Sequence, residues 1–217
     1  MSPIKRRLAS TANTACTPPI LPIDVTAVSV SSDELKINTN EAALRLKIPR
    51  GYESEEIKRC DMALKSVLCC KYAYVRVPVE FKEAGICNLG FGDIESCDLC
   101  TALCGCQEAY ILGVTIGIKA DMLIKRLEIA SPAEAFITDA LASAAAESLC
   151  ELADDTLRGV GKKPIRFSPG YGDLPLSVQS AVLAALNADY TLGIALSPSF
   201  LMTPMKSVTA IMGILPN

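Results

Sequence analysis

The sequence predicts an α+β fold in one domain. Amphipathic helical stretches and β-branched alternating stretches follow one another without the strict βαβ alternation of a doubly wound sheet. The chain has 217 residues, within the usual range for one domain. Half of its residues are apolar and 21% charged, with a mean hydropathy of +0.32, enough to bury a sizeable core.

Each element has its own local reason. Residues 1–30 read as a flexible leader: Met1 to Ile23 contain no acid, Lys5, Arg6 and Arg7 are basic, and Pro18, Pro19 and Pro22 stop any helix. The folded domain is placed at 31–217. Leu35-Lys36-Ile37 alternates, and Asn40 then caps a helix to about Arg45 that Pro49-Arg50-Gly51 closes. Ser54-Glu55-Glu56 opens a second helix, carried to about Cys70 by Ile57, Cys60, Leu64, Val67 and Leu68 at helical spacing. Tyr72 to Phe81 reads as a strand, with Tyr72, Tyr74, Arg76 and Pro78 on one side and Val75, Val77 and Val79 on the other; Pro78 argues for a sheet edge. Ile86 to Leu89 is a short strand, and Ser96 to about Leu103 a short helix. Ala109 to Thr115 is a buried strand ended by Gly117, followed by an amphipathic helix from Lys119 to Ile129. Ser131-Pro132-Ala133-Glu134 is a helix start, with Ser at the cap, Pro first and Glu third, opening a long Ala-rich helix to about Arg158. Ile165 to Phe167 is a strand, Leu176 to Leu186 a helix, and Leu192 to Leu196 and Ser207 to Ile214 are strands.

Composition excludes several function classes. The chain has no histidine, so Ser-His-Asp and Cys-His catalysis, His-built zinc hydrolase sites and an axial imidazole for cobalt are beyond this chain acting alone. Lys+Arg is 21 against Asp+Glu 24, a net charge of −3 that argues against a dedicated nucleic-acid binder. No apolar run reaches the ~18 residues of a transmembrane helix; Ala181 to Leu196 is broken by Asn187 and Asp189. Ten cysteines in a long apolar chain without a secretory signal read as reduced thiols, which with the missing membrane segment places the protein in the cytoplasm.

Three constellations could carry chemistry. Cys97, Cys100, Cys104 and Cys106 are close enough in sequence to hold zinc or an iron–sulfur cluster or to form a redox pair, yet 97, 100 and 104 are also the offsets of one packed helix face. Asp139, Ser143, Glu147 and Glu151 recur every four residues on the long helix, as a solvated face or as the wall of a site whose carboxylates pair with a cationic ligand group. Arg166-Phe167-Ser168-Pro169-Gly170-Tyr171-Gly172-Asp173 sets an arginine at a strand end before a Pro/Gly turn, where a guanidinium can grip a carboxylate bidentately.

The third constellation extends into a pattern. Arg166-x-Ser168-Pro169-Gly170-Tyr171, then a helix, then Gly193-Ile194-x-Leu196, then Met202-x-Pro204-x-x-Ser207-Val208 resembles the activation (reactivation) domain of cobalamin-dependent methionine synthase. Asn40 to Leu46 resembles the opening of its short, free-standing relatives, and Thr115-x-Gly117 with Asp139-Ala140 and Glu147 their middle section. The resemblance implies an α+β fold with a curved, mainly antiparallel sheet and packed helices. It implies an S-adenosylmethionine site lined by Arg166, Ser168 through its backbone, Gly170 and Tyr171. On the acidic stripe of the long helix, Glu147 or Asp139 is the candidate partner of the ligand's ammonium. No segment resembles a corrinoid, folate or homocysteine module. The implied protein is therefore an accessory subunit, without complete catalytic machinery of its own. It would support reductive reactivation of a cobalamin-dependent methionine synthase or related corrinoid methyltransferase. Cobalamin would enter only through that partner, and electrons through a flavodoxin-like or ferredoxin-like donor. A cysteine-rich metal or iron–sulfur protein and a ligand-free scaffold relative are the alternatives.

Overall fold

The computed structural model describes residues 24–82, 85–158 and 166–215. In chain order the first half holds β1 (Thr26–Val30), α1 (Thr39–Leu46), α2 (Glu55–Lys65), β2 (Cys70–Pro78), β3 (Glu80–Phe81), β4 (Ile86–Asn88), β5 (Asp93–Glu95), α3 (Cys97–Ala102) and β6 (Glu108–Thr115). The second half holds α4 (Ile118–Ala130), α5 (Pro132–Arg158), β7 (Arg166–Phe167), α6 (Val178–Ala185), α7 (Ala188–Thr191), β8 (Ala195–Leu196), β9 (Met202–Thr203) and β10 (Ser207–Ile214).

The chain is α+β, as its patterning predicts. A five-stranded sheet in the order β1-β2-β6-β10-β7 is antiparallel at every pairing. Alternation along the strands gives it two buried faces. Tyr72, Leu112, Val114, Ala210 and Met212 pack with α1, α2, α4 and α5. Ala73, Val75, Val77, Ile111 and Ile211 pack on the opposite face with α3, α6 and the small sheet β3-β4-β5. Gly113 lets that second layer close in, because a Cβ there would meet Leu192 Cδ1 at 2.8 Å and Leu186 Cδ1 at 2.9 Å.

The long helix α5 is the hub of the first layer, touching α1, α2, α4, β2, β6 and β10. Ala140, Ala142, Ala144, Ala145, Ala146 and Ala153 are all buried on it. Alanine favours the helix and lets neighbours approach closely, which explains a core almost without aromatics. The predicted start holds: the Glu134 N–H points at the Ser131 hydroxyl, 3.5 Å away.

Several expectations are corrected. The leader does not run to residue 30, because Thr26–Val30 pairs with Tyr74 to Cys70 and sets Val28 and Val30 on the core; residues 1–23 lie outside the described residues. The cap of α1 is Asn38, whose side chain accepts the Asn40 N–H, and the helix closes at Lys47 in the left-handed region. Helix α2 ends at Lys65; Val67 and Leu68 continue its apolar rhythm only because they pack on the same cluster from the following turn. Strand β2 is interior, not an edge. Pro78 is tolerated because β1 pairs with Cys70 to Tyr74 and, among the described residues, no strand pairs with Pro78 on that side. Phe81 belongs to β3 in the smaller sheet. Ile165 falls outside the described residues, and the short hairpin of β8 with β9 replaces the strand expected from Leu192.

Candidate functional site

At the β7 end of the sheet lies a groove of about 960 Å³. Its walls are Glu147 from α5, Arg166 to Pro169 and Tyr171 from β7 and the loop after it, Ser197 and Ser199 to Thr203 from the β8–β9 hairpin, and Ser207 to Thr209 from β10. Gln179 of α6 lies buried at its wall, donating through Nε2 to the Thr209 hydroxyl at 2.8 Å.

Backbone pairing places the arginine. Arg166 sits opposite Met212 of β10, so its Cα is fixed by the ladder. Its guanidinium meets two carboxylates: one Nη donates to Glu147, and Nε lies 3.1 Å from Asp154 Oδ2. The two acids differ in access. The Asp154 side chain is 4% exposed and that of Glu147 40%. Burial works against the Arg166 charge, but Cys150, Glu147 and Asp154 outweigh it and hold its pKa above the ordinary value. The adjacent Cys150 thiol is pushed up to about 12, chiefly by burial.

The loop after Arg166 is a chain of turns. The Tyr171 N–H bonds to the Ser168 carbonyl at 3.1 Å, and the Gly170 N–H to the Leu174 carbonyl at 3.0 Å. Gly170 has φ +89°, a left-handed turn position, and bends the chain beside the groove; Ser168, Pro169 and Tyr171 of this loop line the groove, and Gly170 does not. Tyr171 is 69% exposed, at the mouth. Asp173 fastens the far end. Its carboxylate accepts the Ser96 hydroxyl and the Cys97 N–H at the start of α3, while Asp98 Oδ2 accepts the Asp173 N–H at 3.1 Å.

The acidic stripe of α5 divides. Asp139 does not line the groove: its Oδ1 lies 2.7 Å from Lys206 Nζ, which also donates to Ser143 at 2.8 Å. Glu151 lies in a separate depression with Glu34, Lys36 and Asp155. At about 100° per residue, Asp154 falls within about 20° of Glu147, whereas Glu151 drifts about 40° the other way. A four-residue repeat therefore overshoots, and the acid that joins Arg166 is seven positions after Glu147. Asp154 and Lys206 were missed by sequence reasoning. The first is legible by stepping 3.6 residues rather than four; the second has no signal in the strand pattern.

The four clustered cysteines point apart. Cys97 and Cys104 are exposed, Cys100 is half-buried beside Cys87, and Cys106 is buried against Gly213. Burial, with Cys100 as neighbour, pushes the Cys87 thiol up to about 12. Among the described residues no group of three or more Cys, Asp or Glu is placed to hold a metal ion. No described helix is long and apolar enough to cross a membrane.

No protein-family model and no curated protein matches the sequence. Among solved structures, the chain is similar to a crystal structure of the MetH reactivation domain bound to AdoHcy. The TM-score is 0.70 at 16% identity, over 93% of this chain and 82% of that one. At that identity the likeness is one of fold, and it agrees with the fold expected from the Arg166-to-Tyr171 motif.

Proposed function

We propose that this chain is an S-adenosylmethionine-binding accessory protein that supports reductive reactivation of a corrinoid methyltransferase of the methionine synthase kind. One observation carries the reading. On the fold of a domain whose solved structure holds AdoHcy, the groove at the sheet end is walled by the one motif that the sequence shares most specifically with that family. AdoHcy is S-adenosylmethionine after loss of its methyl group, so one site serves donor and product.

The groove has the size of small-molecule sites, roughly 300–1,000 Å³. Arg166 would hold the ligand's α-carboxylate through parallel N–H bonds, and the Ser168 backbone would face the ligand across the groove. Gly170 would set the turn that presents Tyr171, whose ring face suits a sulfonium or an adenine. Of the two acids expected for the ammonium, Glu147 is on the groove wall and Asp139 is engaged by Lys206. The ligand supplies an electrophilic methyl group. The cobalt and its reduction belong to a corrinoid partner and a flavodoxin-like or ferredoxin-like donor, in the cytoplasm. The ligand-free scaffold reading draws support from one feature, that Arg166 already meets two carboxylates of its own chain.

Calorimetry with S-adenosylmethionine decides between them. Saturable binding to the wild-type protein supports the proposal. No heat at millimolar ligand, with the corrinoid partner present as well as absent, sinks it and leaves the scaffold.

A further inference from the structure

The Arg166 cluster holds one cation between two acids of unequal access. Asp154 is buried on the Nε side, whereas Glu147 is half-exposed on the groove wall at an Nη group. The outer pair is a built-in positive and negative group side by side, facing a groove. An α-amino acid end is the mirror of that pair, a carboxylate beside an ammonium.

We infer that the Arg166–Glu147 ion pair opens on binding and exchanges partners with the zwitterionic α-amino acid end of the ligand, while Asp154 keeps the guanidinium in place. This rests on the function proposed above and names what the site selects. Opening the pair strips each charge of its partner, which is costly in a partly dry site unless both are replaced at once. A zwitterion replaces both. A ligand with only a carboxylate leaves Glu147 unpaired, and one with only an ammonium leaves half of Arg166 unpaired. The closed pair therefore discriminates against both single-charge analogues. Asp154 is the positioning residue: Arg166 keeps its Nε contact and its β7 register while the outer edge changes hands.

The test uses three nucleosides on the intact chain: S-adenosylhomocysteine, its deaminated analogue, which keeps the carboxylate, and its decarboxylated analogue, which keeps the amine. Wild-type protein is expected to bind both analogues at least about tenfold more weakly than the parent. Glu147→Gln removes the competing carboxylate and is expected to bind the deaminated analogue about tenfold more tightly than wild type does, and the decarboxylated analogue more weakly. Nitrogen-15 NMR of the Arg166 Nε–H in ligand-free protein gives a second readout. Its signal should stay protected from exchange in Glu147→Gln and lose protection in Asp154→Asn. If the parent binds but Glu147→Gln fails to tighten the deaminated analogue, the exchange is wrong and the proposed function stands. If wild type binds none of the three, with the corrinoid partner present as well as absent, both fall. Loss of Nε–H protection in Glu147→Gln, with Asp154→Asn unaffected, would overturn the positioning role.

Discussion

The Asp173 carboxylate accepts the Cys97 backbone N–H at 2.7 Å, across 76 positions of sequence. With the Ser96 hydroxyl and the Asp98 N–H as further donors, one side chain ties the loop after Arg166 to the first turn of α3. The Arg-to-Tyr loop is thus braced at both ends, by the β7–β10 ladder before it and by this latch after it. The Ser96 hydroxyl above all, then the Cys97 and Asp98 N–H groups, hold the Asp173 pKa below the ordinary carboxylate value. A lowered folded pKa contributes stability above the ordinary value, near ~3.9, and that stability is lost as pH falls through the lowered value. Asp173→Asn should lower the thermal midpoint at neutral pH, and its deficit against wild type should shrink under acid. A deficit that stays constant down to the acid limit would show that charge plays no part in the latch.

Gly172 is the closest approach in that latch. It has φ +53°, and a Cβ there would collide with Asp98 Oδ2, the acceptor of the Asp173 N–H. Gly172→Ala meets the left-handed backbone penalty of about 1–2 kcal/mol and must also swing Asp98 away, which breaks that bond. Denaturant unfolding should show a loss of roughly 1–3 kcal/mol. At Gly193, φ +70° with open space at the Cβ position, the same substitution should cost only the backbone part. Equal losses at the two positions would refute the role given to Asp98.

What the sequence made legible follows the range of the forces involved. The Ser131 to Glu134 helix start, the two faces of β2 and the stretch from Ser207 to Ile214 are local patterns, and the structure repeats them. Thr26–Val30 was lost because its pattern is short and follows a proline-rich segment; only pairing with β2 makes it a strand. At the site, Arg166 and Tyr171 were legible because strand end, proline and glycine lie together in sequence. Asp154 and Lys206 were not, because each is defined by a partner on another element, Arg166 of β7 and Asp139 of α5.

The cysteines offer a chemical test of their separation. Cys69, Cys97 and Cys104 are exposed, whereas Cys60, Cys70, Cys87, Cys106 and Cys150 are buried. Burial first of all raises the Cys60, Cys70, Cys87 and Cys150 thiols above the ordinary value, Cys70 to about 11. Only thiolates react with disulfide reagents at useful rates, so these four should stay protected in native protein near neutral pH. Peptide mapping should find Cys69, Cys97 and Cys104 labelled first, and replacing Cys97 and Cys100 together by Ala should leave the fold intact at a cost of at most a few kcal/mol. Stoichiometric iron or zinc that shields Cys97 and disappears in the double variant would instead revive the metal-protein reading.

Arg166 is a structural cation as well as the proposed ligand clamp, and the two roles can be separated. Arg166→Ala removes the guanidinium that Asp154 meets at Nε and Glu147 at Nη, on one face of α5. Removing one partner of a buried ion pair costs about 3–5 kcal/mol, so Arg166→Ala should unfold at distinctly lower denaturant than wild type. Arg166→Lys keeps the charge but loses the fork, since one ammonium cannot serve Nε and Nη directions together; its stability should fall between the two. Asp154→Ala on the Arg166→Ala background removes the buried acid of the pair and should recover part of the loss, a coupling expected of residues in one network. Binding should behave differently. It should weaken by about 2–4 kcal/mol in Arg166→Ala and stay weak in the double variant, because no side chain remains to pair the ligand carboxylate. A double variant that regains stability without regaining binding gives Arg166 both roles. An Arg166→Ala protein as stable as wild type would mean that the buried pair contributes nothing to the fold.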